Sequence, residues 1–168
     1  MRPANHKNTR KYDDAEACDL LHQVATFYMS TKTPHDYGTG ETFTSVELHT
    51  LKYIADHPGI AAAQIADDFG KTKGAVSQLL KKLEQKGLLV KTPSPDADNR
   101  QLLKLSERGT QVNEVHRRYD AEHFGESMAV VREQYSDEQI DQAFDVLTCW
   151  LKARREVQKR RLSRQRQG

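Results

Sequence analysis

The chain has 168 residues, of which 36% are hydrophobic and 30% charged, and its formal net charge is +2 at pH 7. That length is most simply one domain with room for a sizeable core, the composition suits a soluble protein, and no apolar run approaches membrane-spanning length. Its two cysteines, Cys18 and Cys149, lie far apart, which speaks against a secreted disulfide framework or a zinc module, and with so modest a net charge any preference for a polyanion must come from where the charge sits.

Residues 1–11 are polar and basic and read as a loosely held arm. The opening Met1-Arg2-Pro3-Ala4-Asn5-His6-Lys7 has no apolar signal core, so the expected compartment is the cytoplasm. Residues 12–29 read as a first helix, with Leu20, Leu21, Val24, Ala25, Phe27 and Tyr28 supplying apolar surface for a core or a dimer contact. Residues 30–43 hold Pro34, Gly38 and Gly40 and read as a loop. A second helix is predicted over 44–57: Thr44-Ser45-Val46-Glu47 is a capping-box pattern, and Pro58-Gly59 stops the helix.

Residues 61–69 form a short helix-like run that Gly70 ends. Next, Val76, Leu79, Leu80 and Leu83 fall at i, i+3, i+4 and i+7, one apolar stripe of a further helix. Thr72 suits its N-cap, and Gly87 supplies the residue without Cβ that a left-handed helix end prefers. Two short helices joined by a tight glycine-containing turn make a helix-turn-helix pattern. The outer face of the second helix carries Lys73, Ser77, Lys81 and Glu84, with Gln78 and Lys82 beside them. Hydrogen-bonding and cationic side chains on one face are what the DNA major groove asks of an inserted helix. Gly74, in the first turn, weakens the helix by about 1 kcal/mol relative to alanine; it either lets backbone approach DNA or is a tolerated small residue.

After Gly87 the pattern becomes extended. Leu88-Leu89-Val90-Lys91-Thr92 and Gln101-Leu102-Leu103-Lys104-Leu105 flank a turn-rich segment, residues 93–100, and so predict a β-hairpin behind the recognition-type helix. Ser106 then caps a long helix reaching about residue 128, which Gly125 is expected to break or bend. A last helix opens at Ser136-Asp137-Glu138-Gln139, another capping-box pattern, and carries more apolar surface than a small head needs, Ile140, Phe144, Leu147 and Trp150 among it. The tail, residues 152–168, holds eight Lys and Arg against Glu156 alone. It reads either as a DNA-backbone contact or as a solvated, frayed helix end whose cations suit the helix dipole.

The run Asp98-Asn99-Arg100-Gln101-Leu102-Leu103-Lys104-Leu105-Ser106-Glu107-Arg108-Gly109 resembles the wing signature of the MarR family of bacterial transcriptional regulators, Asp-x-Arg followed by Leu-x-Leu-Thr-x-x-Gly, with Ser106 in the threonine position. The resemblance covers roughly residues 44–110. It implies a mainly α fold with a small β-hairpin wing: a winged helix-turn-helix plus N- and C-terminal dimerisation helices. The expected layout is one MarR-like domain over 1–168, with residues 12–43 as dimerisation helix and loop, 44–110 as winged helix-turn-helix, and 111–168 as dimerisation helices and basic tail.

The resemblance also implies a homodimer on double-stranded DNA, probing a pseudo-palindromic operator with two recognition helices about 34 Å apart. Within it, Ser77 and Gln78 are the candidates for base edges, and Lys73, Lys81 and Lys82 for phosphates. Arg100 is the candidate for the minor groove with Asp98 orienting it, and Thr72 joins the set at the helix start. Three effector readings accompany it. Cys18 lies broadly where the hydroperoxide-sensing branch keeps a reactive cysteine, but Glu16 and Asp19 flank it and nearby carboxylates disfavour a thiolate. The histidines, including His22, His35, His49, His116 and His123, form no closed ligand set by spacing, so neither a metal nor a cofactor is expected. A small aromatic or anionic effector remains, with Phe27, Tyr28, His49 and Arg117 as candidate linings of a crevice between dimer helices and head. The alternative to a DNA-binding regulator is a winged-helix module for protein contacts. An enzyme is not expected, since no phosphate loop, nucleophile elbow or metal-ligand motif appears.

Overall fold

The computed structural model describes residues 11–30, 33–95 and 101–165. Within them run α1 (Asp14–Ser30), β1 (His35–Asp36), β2 (Thr42–Phe43), α2 (Ser45–Asp56), β3 (Ile60–Ala61), α3 (Ala62–Phe69), α4 (Lys73–Gln85), β4 (Leu89–Pro93), β5 (Gln101–Leu105), α5 (Glu107–Arg132) and α6 (Asp137–Gln165). The helix starts sit where the capping chemistry places them. Glu47 N–H donates to Thr44 Oγ1 while Thr44 N–H donates to Glu47 Oε2 at 2.7 Å, a closed capping box. Ala75 N–H donates to Thr72 Oγ1, Gly109 N–H to Ser106 Oγ, and Gln139 N–H to Ser136 Oγ. Gly70 (φ 61°) and Gly87 (φ 70°) end α3 and α4 in the left-handed region that glycine enters without a Cβ clash.

The core lies in the head. Leu48, Leu51 and Ile54 of α2, Ile65 of α3, and Val76, Leu80 and Leu83 of α4 close over Phe43, Leu88 and Leu103. Burying each such side chain stabilises the head by roughly 1.5–3 kcal/mol. The predicted stripe of α4 faces this core, with Leu79 half-buried at its margin. β4 and β5 pair antiparallel from Leu89↔Leu105 to Pro93↔Gln101, which is the predicted hairpin.

The structure departs from the sequence reading in three places. β3 joins the far edge of β5 through Ile60↔Leu103 and Ala61↔Leu102, giving a three-stranded sheet in the order β3-β5-β4. Two residues are too short for any periodicity signal. The segment read as a plain loop, residues 30–43, contains the β1–β2 pair, His35↔Phe43 and Asp36↔Thr42. Its turn is held by Asp36 Oδ1, which accepts from the N–H groups of Thr39 and Gly40. Gly125 neither breaks nor ends α5, which runs 26 residues, about 39 Å at the helical rise. One glycine costs a helix only about 1 kcal/mol, and the turns on either side of it outweigh that.

The start of α5 brings Val112 into this core, and the long helices otherwise lie outside it. Met128 of α5 and Ile140 of α6 are both buried, and the Phe124 and Phe144 rings of the same two helices lie edge-on at 6.4 Å. Farther along, α1 and α6 leave large apolar side chains exposed, among them Leu20 (50%), Val146 (68%) and Trp150 (44%). Among the described residues no helix is long and apolar enough to cross a membrane.

Candidate nucleic-acid interface

The outer face of α4 is built by exclusion. Its inner stripe is committed to the core, so Lys73, Ser77, Gln78 and Lys81 are all turned to solvent. Thr72 shares that exposed edge, but its hydroxyl is engaged in capping α4. Gly74 lies on the same face, and a Cβ there would meet nothing within 4 Å. The arrangement presents two hydrogen-bonding side chains flanked by ammonium groups beside an open helix N-terminus, a surface that attracts anions.

Two neighbouring charges are used within the protein. Lys82 Nζ lies 3.2 Å from Glu47 Oε1, and Lys86 Nζ lies 2.9 Å from the same oxygen, while the Glu47 side chain is 1% exposed. Burial alone would push the Glu47 carboxyl up. The Thr44 backbone N–H, the Lys86 ammonium and the Thr44 hydroxyl together hold it below its ordinary value. Sequence reasoning placed Lys82 on the phosphate-holding face and overlooked this pairing, because Glu47 and Lys82 meet only when α2 packs across α4. Glu84, also on the outer face, is tied to Lys91 of β4 at 2.5 Å. Asp98 and Arg100, the predicted wing-tip pair, lie outside the described residues.

The wing signature has a structural explanation at its other end. Ser106 Oγ donates to the Gly87 carbonyl at 2.7 Å, and Ser106 N–H donates to the Leu88 carbonyl at 3.1 Å. Gly109 packs so tightly that a Cβ would fall 2.0 Å from the Leu88 oxygen. Arg108 hydrogen-bonds the Lys86 carbonyl and pairs with Glu41. Ser106, Arg108 and Gly109 therefore fasten the end of α4 to the start of α5, which sets the angle at which α4 leaves the head.

The basic tail departs from one of its two sequence readings, the frayed helix end. α6 stays helical through Gln165 and is not frayed there. Arg155, Gln158 and Lys159 stand against Asp67, Gly70, Lys71 and Thr72 at the turn between α3 and α4. Gln158 Nε2 comes within 3.6 Å of where a Gly70 Cβ would sit. Residues 155–159 of α6 thus lie beside the head at the α3–α4 turn.

Of the candidate effector linings, Phe27, Tyr28 and His49 line a common crevice of about 700 Å³ between α1, α2 and α5, together with Tyr37, His116, Tyr119 and Asp120. Arg117 lies elsewhere, in a shallower depression beside Pro58 and Lys104. Burial holds the His116 imidazole below its ordinary pKa, with Asp120 pulling the other way and His49 adding to the fall. Tyr37 is raised, first by burial and then by Tyr119 and Asp120. Cys18 is exposed on α1, in an open groove facing Leu147 and Trp150 of α6.

Comparison with known proteins gives this geometry a lineage. Residues 42–98, from β2 through the base of the wing, match the MarR family. No curated protein matches the sequence. Among solved structures, the fold is similar to that of a MarR-family transcriptional regulator from Rhodococcus sp. RHA1, at 22% identity over 84% of this chain and 98% of that one, with a TM-score of 0.63. It is similar also to FabT of Streptococcus pneumoniae in complex with DNA, at 19% identity over 86% and 99%, TM-score 0.60. The S. aureus MepR–DNA complex is alike at 21% identity over 85% and 99%, TM-score 0.60. At these identities the likeness is one of fold, extending over the long helices as well as the head. Residues 42–98 therefore match the MarR family across the helix-turn-helix, and the chain as a whole shares the fold of MarR-family structures.

Proposed function

We propose that the protein is a sequence-specific transcription regulator, a repressor in the simplest case, that binds a pseudo-palindromic operator in double-stranded DNA as a homodimer. A small aromatic or anionic effector in the α1–α2–α5 crevice would bias the spacing of its two heads. The observation that carries the reading is the outer face of α4, where Lys73, Ser77, Gln78 and Lys81 are exposed together. At 13 residues α4 is about 20 Å long, and the major groove is about 12 Å wide, so such a helix can lie in it. Gln78 can bridge two points on adenine and Ser77 can donate or accept, whereas the lysines fit phosphates. Lys82, already beside Glu47, is the weaker phosphate candidate of the three lysines. Arg100 and Asp98 complete the set on the wing, Arg100 gripping the minor groove or its phosphates. FabT and MepR, which share the fold, are in complex with DNA. The exposed apolar residues of α1 and α6 are the surface on which a second copy would close.

Selection of genomic DNA fragments on the purified protein, sequenced across a salt series, tests the proposal. An enriched pseudo-palindrome with half-sites about a helical turn apart, and affinity falling steeply with salt, is expected. Gln78→Ala should relax preference at one base step, and a uniformly weakened but equally selective variant would remove Gln78 from base reading. Salt-sensitive binding without an enriched sequence would leave a non-specific binder, and no binding would favour a protein-contact module.

A further inference from the structure

The crevice beside the head holds a group of side chains that the DNA-binding reading does not use. His116 of α5 is 1% exposed, yet neither of its ring nitrogens has a hydrogen-bond partner among the described residues. A buried imidazole left in that state is costly, and such orphans in native structures call for an explanation. Its Nε2 stands 3.3 Å from Asp120 Oδ1, one helical turn along, without the geometry of a hydrogen bond. Across the crevice the His49 ring of α2 approaches edge-on, at 5.2 Å between centroids. One donor atom from each of the three residues lies within 4.8 Å of the other two.

We infer that His49, His116 and Asp120 form a binding site for a divalent transition-metal ion of the zinc class, joining α2 to α5. Two imidazoles and one carboxylate are a donor set that suits zinc and its late first-row neighbours over magnesium or calcium, which want more oxygen ligands. Donors around a tetrahedral zinc, each about 2.0–2.2 Å from the ion, stand roughly 3.3–3.6 Å apart. Closing from 4.8 Å therefore takes a side-chain adjustment of about an ångström. His49 is exposed and Asp120 half-buried, so both can turn while His116 stays fixed. The crevice opens to solvent, which gives the ion access and leaves room for water as a fourth ligand.

The neighbouring histidines take no part. His123 Nδ1 lies 2.9 Å from the Tyr119 carbonyl and its ring stacks on Tyr119, while His35 lies edge-on to Tyr37 and Tyr119. Spacing along the chain points away from a metal because the histidines taken by themselves form no closed set. The relevant pair is His116 with Asp120, at i, i+4 on one face, completed by a residue from another helix.

The full chain, stripped of metal with a chelator and titrated separately with Zn²⁺ and Co²⁺, tests the site. One ion per chain is expected, with the intense visible bands of four-coordinate cobalt. His49→Ala and Asp120→Asn should each weaken binding by at least about tenfold, while His123→Ala leaves it unchanged and far-UV circular dichroism shows all three folded. The two ligand variants remove the less buried members of the set, so their folding does not hinge on filling the His116 pocket. The inference is overturned if the stripped protein takes up no ion, or if an ion binds equally well to His49→Ala and Asp120→Asn. Because the readout is metal binding alone, its failure is distinct from a failure to bind DNA.

Discussion

Gly109 has almost no room: the position a Cβ would take lies 2.0 Å from a backbone oxygen, that of Leu88, which no side-chain rotation can relieve. Gly109→Ala is expected to lower stability by roughly 1–3 kcal/mol in chemical denaturation, the range for overpacking a tight contact. Glu47 argues at the same scale from charge. Its folded carboxyl titrates below its ordinary 4.5, so the folded state binds that proton less readily than the unfolded one. The stability it contributes is present above pH 4.5 and is lost as pH falls through the folded value. Glu47→Gln should therefore cost about 1–3 kcal/mol at neutral pH, by loss of charged hydrogen bonds, and much less at low pH. Urea unfolding at several pH values checks this, and a parallel loss at every pH would assign the cost to packing instead. Tyr53 shows the opposite sign: burial first, then the hydrogen bond it donates to Asp68 at 2.6 Å, raises it to about 12. That contribution is complete below pH 10 and fades as pH rises toward the folded value.

At the scale of elements, α4 serves two surroundings at once. Its inner stripe is fixed by the core, and its exit is fixed by Ser106, Arg108 and Gly109 against the backbone of residues 86–88. Only the outer face is left open to vary. Gly74 separates stability from function there, because a Cβ at that position meets open space within the chain. Gly74→Ala is expected to raise helix stability by up to about 1 kcal/mol. It should weaken operator binding at the same time, since the added methyl would meet DNA where backbone now can. A thermal melt and a DNA titration on the same sample decide it; unchanged affinity would make Gly74 a tolerated small residue. α6 also faces two ways, with apolar residues toward the α1 groove and Gln158 against the α3–α4 turn. Whatever shifts α6 is therefore in contact with the turn that carries α4.

For the whole molecule, the decisive surface is the one a single chain leaves uncovered. Val146, Leu147, Trp150 and Leu151 are each 40% or more exposed along α6, and Leu20 and Val24 are about half exposed on α1. A continuous apolar surface of that kind marks an interaction site. Leu147→Glu is expected to convert the proposed dimer to a monomer in sedimentation and to lower DNA affinity at least tenfold, because each head would then bind alone. A dimer that survives the change would move the interface off α6.

The legible part of this protein was local. Thr44, Thr72, Ser106 and Ser136 marked helix starts, Gly70 and Gly87 marked ends, and the spacing of Val76, Leu80 and Leu83 set which side of α4 faces outward, because caps and periodicity act within a few residues. The wing signature from Asp98 to Gly109 carried the resemblance to the MarR family for the same reason: its constraints fall within one short stretch. What only the tertiary structure decided joins residues far apart in sequence. Lys82 turns toward Glu47, β3 completes the sheet, Gln158 returns to the turn at Gly70, and His49 meets His116 and Asp120. Each depends on how one helix or strand crosses another, an angle set by the packing of the core as a whole, which no spacing along the chain encodes.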